Sequence, residues 1–329
     1  MWGSTIGCMV TLILSLLTAP LTSTAQQAAK VPRLGLLIPG SSSAFAPRIE
    51  AFRYGLRDLG YVEGRNITME YRFAEGKDDR LPALVAELTR LQVDIIVTDG
   101  EAAIRAAQHA TTTIPIVMAV SGDPVGIGHV ASLARPGGNI TGLSFMQPEV
   151  SGKRLELLQE AVPTLSHVAV LWNPDVPVST LGFKETQTAA HALGLQLQSL
   201  EVRGPDEFDQ AFAAMTSEHA DALVVLSNPL FFEHRRQLAE LAVKHRLPAI
   251  FLFREYVEAG GLMAYGANLN DMWRRAASYM DRILKGTKPA DLPVEQPVKF
   301  ALVINLKTAK ALGVTIPPAF LQRADQVIE

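Results

Sequence analysis

Seven short segments concentrate side chains able to hold a charged or polar solute. They are Gly40-Ser41-Ser42-Ser43, Asp99-Gly100-Glu101, Ser121-Gly122-Asp123-Pro124, Asn173-Pro174-Asp175, Ser227-Asn228-Pro229, Phe253-Arg254-Glu255 and Tyr265-Gly266-Ala267-Asn268. Serine hydroxyls and backbone N–H groups at helix starts suit a carboxylate, and Asp99, Glu101 or Asp123 suit an ammonium group. Tyr265 and Phe253 can cover an apolar or aromatic moiety. Turns favour the same residue types for conformational reasons, so no single segment is diagnostic. Their weight comes from position, because each follows an apolar run of strand length.

The same residues do not assemble a reaction centre. His109, His129, His167, His191, His219, His234 and His245 never form an H-E-x-x-H pair, and neither a G-x-S-x-G elbow nor a P-loop occurs. Gly122, Gly126 and Gly128 form only a loose cluster, not the dinucleotide fingerprint. Asp78 and Asp79 read as a helix cap rather than an acid and base pair. The expectation is therefore a binding protein with no catalytic residues, no metal and no cofactor.

The elements that must position these segments alternate between two periods. Leu34–Ile38, Ile95–Thr98, Ile116–Val120, Val168–Trp172, Ala222–Leu226 and Ala249–Phe253 are apolar runs, and the stretches between them carry helical spacing. Asp206 is placed to cap a helix with Phe208, Ala211, Phe212 and Met215 on one face. Asp79 stands in the same way before Leu81, Leu84, Val85 and Leu88, with Pro82 in the first turn. Parallel strands joined by helices are predicted: an α/β fold.

The chain also repeats itself about 130 positions on. Arg33-Leu34-Gly35-Leu36-Leu37 answers to His167-Val168-Ala169-Val170-Leu171, and Leu56-Arg57-Asp58-Leu59-Gly60 to Ala190-His191-Ala192-Leu193-Gly194. Asp94-Ile95-Ile96-Val97 answers to Asp221-Ala222-Leu223-Val224, and Ile114-Pro115 to Leu247-Pro248. Two Rossmann-like lobes with parallel sheets and a ligand cleft between them are expected. The first lobe is assigned to 31–145 plus about 262–295, and the second to 146–261 plus about 296–329. Leu262–Tyr265 and Phe300–Ile304 are read as strands crossing between the lobes in a multi-stranded hinge.

Composition limits the partners. Among 329 residues, 30 Lys plus Arg stand against 33 Asp plus Glu, a net charge of −3, and no four like charges run together. Nucleic acid is excluded as a partner, because phosphate binding needs a concentrated basic face. Ile6 to Leu17 is apolar and leads to Ser23-Thr24-Ala25-Gln26, the order of a secretory signal with cleavage expected after Ala25. The run is too short to span a bilayer, so the mature chain is expected in the periplasm with no permanent membrane span. Cys8, the one cysteine, lies in this leader, leaving the mature chain without thiols.

Three stretches carry a family resemblance: Gly60-Tyr61-Val62-Glu63-Gly64-Arg65-Asn66-Ile67, the segment from Asp123-Pro124-Val125-Gly126 through Arg135-Pro136-Gly137-Gly138-Asn139-Ile140-Thr141-Gly142, and Gly260-Gly261-Leu262-Met263-Ala264-Tyr265-Gly266. They resemble the ABC transporter substrate-binding family that includes tryptophan and tyrosine uptake proteins. The resemblance implies a type I periplasmic binding fold that closes on its ligand by a hinge motion. It places the family's binding loops at Ser41, Ser42, Gly100, Glu101, Ser121, Asp123, Asn173, Ser227, Asn228 and Tyr265. Implied partners are a small polar solute, an amino acid or related compound among the candidates, and an ABC permease with its ATPase, met by a monomer. Two other readings are an exported binding module reporting to a sensor or chemoreceptor, and an exported α/β enzyme.

Overall fold

A computed structural model describes residues 30–329; the expected leader and its cleavage site lie outside the described residues, as do the side chains of residues 147–149. Within Pro32–Glu329 the chain forms two lobes, each around its own sheet.

The first lobe runs β1 (Arg33–Ile38), α1 (Ser42–Asp58), β2 (Thr68–Phe73), α2 (Leu81–Arg90), β3 (Ile95–Asp99), α3 (Glu101–Ala110), β4 (Ile116–Ser121) and β5 (Ile140–Ser144). Its sheet is parallel throughout, in the order β2-β1-β3-β4-β5. Every residue of β3, β4 and β5 is buried. That is why these strands read as unbroken apolar runs rather than alternating ones: helices cover both faces.

The second lobe continues with α4 (Gln147–Ala161), β6 (His167–Trp172), α5 (Pro177–Leu193), β7 (Gln196–Glu201), α6 (Phe208–Ser217), β8 (Ala222–Val225), α7 (Pro229–Glu233), α8 (Arg235–Lys244), β9 (Ala249–Phe251), α9 (Arg254–Glu258) and β10 (Met263–Gly266). The chain then returns to the first lobe as α10 (Leu269–Leu284), packed on α1 and β4. It ends in the second lobe with β11 (Ala301–Asn305), α11 (Leu306–Leu312), α12 (Pro318–Leu321) and β12 (Gln326–Ile328). The second sheet has the order β12-β11-β10-β9-β8-β6-β7, with β10 and β11 antiparallel.

The repeat read from sequence is a repeat of hydrogen bonds. In each lobe the first strand lies between the second and third, β2-β1-β3 in one and β7-β6-β8 in the other. Asp94 Oδ2 accepts from the Arg33 N–H at 2.8 Å, and Asp221 Oδ2 accepts from the His167 N–H at 2.8 Å, so the same aspartate ties down the start of each opening strand. The Ile96 N–H donates to Pro115 O at 2.9 Å, and the Leu223 N–H to Pro248 O at 2.9 Å. Gly60 and Gly194 both take positive φ, +87° and +69°, just after their helices, where a side chain would be strained.

Three details differ from the sequence expectations. Asp79 and Asp206 fall in 3-10 turns leading into α2 and α6, and neither side chain caps the helix; the apolar faces behind them are buried as expected. β10 belongs to the second sheet, paired with β9 and β11, so the first lobe resumes near Leu269 rather than 262. Leu262–Tyr265 and Phe300–Ile304 therefore do not themselves cross. The hinge is still multi-stranded, because the chain passes between lobes three times: after β5, after β10 and before β11. Local apolarity specifies a strand, but the partner sheet is set by non-local pairing.

Candidate functional site

In an open parallel sheet the loops beyond the carboxyl ends of the strands, beside the point where strand order reverses, form the natural crevice. Here the two crevices face each other and enclose a cavity of about 220 Å³, walled by residues of both lobes. Phe45 and Phe145 come from the first lobe or its exit, and Phe232 and Phe253 from the second. The Phe145 and Phe253 rings meet edge to face at 5.6 Å, and Phe232 and Phe253 at 6.0 Å. Such a wall favours an apolar or aromatic group.

Beneath this wall lies a buried cation. Arg48, on the inner face of α1, is 4% exposed and lies over the Phe45 ring at 4.5 Å and the Phe232 ring at 4.2 Å. One ring comes from each lobe. Its Nη1 donates to Asp99 Oδ2 at 3.1 Å, and Trp273 Nε1 from α10 donates to the same oxygen at 2.8 Å. Burial holds the Asp99 carboxyl above its ordinary range, against the opposing pull of Arg48 and Trp273. Asp99 thus carries two side-chain donors on one oxygen while lining the cavity.

Glu101 is committed through both oxygens. Its Oε1 accepts from Ser121 Oγ at 3.0 Å and from the Gly122 N–H at 2.6 Å, while Oε2 lies 2.8 Å from His129 Nε2. His129 Nδ1 is 3.0 Å from Gln108 Oε1. This network pins the loop after β4 to the first turn of α3. The other carboxylates at the cavity wall are Asp78, Asp175, which pairs with Arg203 at 3.4 Å, and Glu233, which accepts from Ser41, with Arg105 as a further cation.

The expected site residues divide into three groups. Gly100, Glu101, Ser227 and Asn228 line the cavity. Asn228 Oδ1 caps α7 by accepting from the Leu230 N–H at 2.7 Å, while its Nδ2 is buried without a hydrogen-bond partner. Ser41 stands at the rim: its Oγ caps α1 and donates to Glu233 Oε1, across the cleft, at 3.0 Å. Ser42, Ser121, Asp123, Asn173 and Tyr265 are not among the lining residues. Ser42 is exposed on the first turn of α1, and Ser121 is buried behind the wall against Glu101. Asp123 Oδ1 accepts from the Gly126 N–H at 2.8 Å and Asn173 Oδ1 from the Asp175 N–H at 2.9 Å, so both brace turns. The Tyr265 ring packs on Phe300 at 5.8 Å.

Sequence reading missed Phe45, Arg48 and Phe232, because it searched loops and these sit within helices. One signal was available: an arginine among Phe45, Ile49 and Phe52 on the apolar face of α1, where a cation requires a buried partner. The lobes also touch where Gly122 approaches Val178; a Cβ on Gly122 would lie 2.2 Å from Val178 Cγ2.

Among the described residues, no group of three or more His, Cys, Asp or Glu is placed to hold a metal ion. No described helix is long and apolar enough to cross a membrane.

Comparison with known proteins agrees with this architecture. A tyrosine-binding protein of Clostridioides difficile (strain R20291) is 25% identical over 264 residues, covering 80% of this chain and 75% of that protein. The crystal structure of an ABC domain in complex with L-Trp from Streptococcus pneumonia matches with a TM-score of 0.85 and 26% identity, over 90% of this chain and 99% of that one. The leucine-binding protein LivK of Thermotoga maritima matches with a TM-score of 0.60 at 15% identity, over 86% of this chain and 87% of that one, which shows the shared type I periplasmic binding fold. The family model described as ABC transporter substrate binding protein matches residues 39–328, and the chain belongs to that family.

Proposed function

We propose that the protein captures an amino acid with an aromatic side chain outside the cytoplasm and presents it to an ABC importer, without turning it over. One observation carries this reading: a cavity between the two lobes, with phenyl rings for its wall and both carboxylates and arginines around them. An aromatic amino acid needs that combination, an apolar slot for its ring and separate receptors for its two charges. The tyrosine and L-Trp named for the relatives support it.

In this reading Gly100, Glu101, Ser227 and Asn228 border the ligand, and Ser41 helps close the lobes over it. Ser121, Asp123 and Asn173 act one step back by fixing the loops. Closure buries the ligand and builds the surface that a permease recognises. The ligand favours the closed form only through contacts made to both lobes at once. The protein is a monomer in this scheme, released to the periplasm by its leader.

A thermal-shift screen of the mature chain tests the solute class. L-tryptophan and L-tyrosine should raise the melting temperature in a concentration-dependent way, while glucose, ribose and adenosine leave it unchanged. A shift with a sugar or nucleoside and none with any amino acid would sink the reading. Stimulation of a reconstituted permease–ATPase pair by the loaded protein tests the importer role.

A further inference from the structure

We propose that Asp99 receives the solute's ammonium group on its second carboxylate oxygen, Oδ1, while Oδ2 stays tied to Arg48 and Trp273. This deepens the amino-acid reading above, on which it rests, and fixes which way round the ligand lies.

Sequence alone offered Asp99, Glu101 and Asp123 for that group, and the structure leaves one of them. Asp123 is not on the cavity wall and braces a turn through the Gly126 N–H. Glu101 is on the wall, but its Oε1 holds Ser121 and Gly122 and its Oε2 faces His129. Asp99 lines the same cavity and is 6% exposed. Arg48 and Trp273 both donate to Oδ2, and among the described residues no donor reaches Oδ1. Nor is Oδ1 sealed. Among the described residues the side-chain oxygens buried without a partner are those of Gln198, Glu255 and Asn270, so Oδ1 keeps accessible surface, and the cavity is the space that Asp99 borders.

A buried carboxylate oxygen gains more from a cation than one at the surface, because little water screens it. Asp78 and Asp175, its rivals on the wall, are exposed, and Glu233 Oε1 takes Ser41. The two hydrogen bonds on Oδ2 do not offset the burial of Asp99, whose carboxyl stays above its ordinary range. A positive donor on Oδ1 acts in the opposite direction. The neighbours suit the rest of the ligand. Arg48, bonded to Asp99, lies 4.2 Å over the Phe232 ring, and Phe232 leads to Phe253 at 6.0 Å and on to Phe145 at 5.6 Å. Only the α and β carbons separate the ammonium group of an aromatic amino acid from its ring, so the charge receptor belongs at the foot of the aromatic wall.

Calorimetric titration of Asp99→Asn should use L-tryptophan or L-tyrosine, whichever the wild type binds more tightly. Beside it goes the deamino analogue, which keeps the ring and the carboxylate and carries hydrogen in place of the ammonium group; its affinity is read by displacement. The variant is expected to lose about 30-fold or more in affinity for the amino acid and under about 5-fold for the analogue, as the loss of a charge-assisted hydrogen bond implies. Equal losses for both ligands, or no loss for either, would overturn the assignment. Wild-type protein that binds neither amino acid would instead overturn the reading on which it stands. Should Asp99→Asn fold poorly because Arg48 has lost its partner, adding Arg48→Met removes the stranded cation. The same split between amino acid and analogue is expected of the double variant, whereas a purely structural role weakens both ligands alike.

Discussion

At the residue scale the cleft is built on charges that meet one another across its floor. Arg48 and Asp99 form a buried pair whose partners include one aromatic ring from each lobe. Removing the cation alone strands a carboxylate held only by Trp273. Arg48→Met should therefore destabilise the fold by about 3–5 kcal/mol in urea denaturation, with much of that recovered when Asp99→Asn is added. A double variant no more stable than the single one would contradict the pairing. Glu255 presents the opposite case: Oε2 is buried without a hydrogen-bond partner, and burial pushes its carboxyl up. A carboxyl raised in the native state binds its proton more tightly than the unfolded chain does. Stability is therefore greatest below the unfolded value and falls as pH rises through the native one. Glu255→Gln removes the charged form, so its melting temperature should decline less than that of wild type between pH 5 and pH 8.

At the element scale each lobe uses the same joints, and this explains why the repeat could be read at all. The aspartate before the third strand binds the amide at the start of the first, and the proline carbonyl before the fourth strand binds the third. These are backbone contacts fixed by one side chain type, so the residue identities recur. Asp221 accepts from the Ser166 N–H and Oγ as well as from the His167 N–H. Asp221→Ala should cost about 1–3 kcal/mol in denaturant unfolding while leaving ligand affinity nearly unchanged, since the residue lies at the far end of the strands from the cleft. A large loss of affinity at unchanged stability would refute that division of labour. The 3-10 turns in place of the expected caps at Asp79 and Asp206 belong to the same scale. A capping residue can be recognised by type, but the backbone angle that turns it towards the helix depends on the incoming chain.

At the scale of the whole molecule the decisive feature is how closely the lobes approach. Gly122 leaves room for Val178 of the opposite lobe, and its backbone would accept a methyl group in isolation. Gly122→Ala should therefore disfavour closure rather than folding: affinity falls about tenfold or more, the radius of gyration with ligand stays at its ligand-free value, and Val178→Ala restores both. Unchanged affinity in the single variant would show that the two positions separate when the ligand binds. The sequence determined the strands, the helices and their doubled order, because apolar period and local joints are encoded within a few residues of one another. It also placed Gly100, Glu101, Ser227 and Asn228, which stand where strand ends meet helix starts. Only the tertiary structure decided that Glu101 spends its charge internally while Asp99 meets Arg48 and Trp273, that β10 joins the second sheet, and that Arg48 lies between Phe45 and Phe232. Each of those facts depends on partners dozens to hundreds of positions away, and local pattern carries no record of which distant groups will meet.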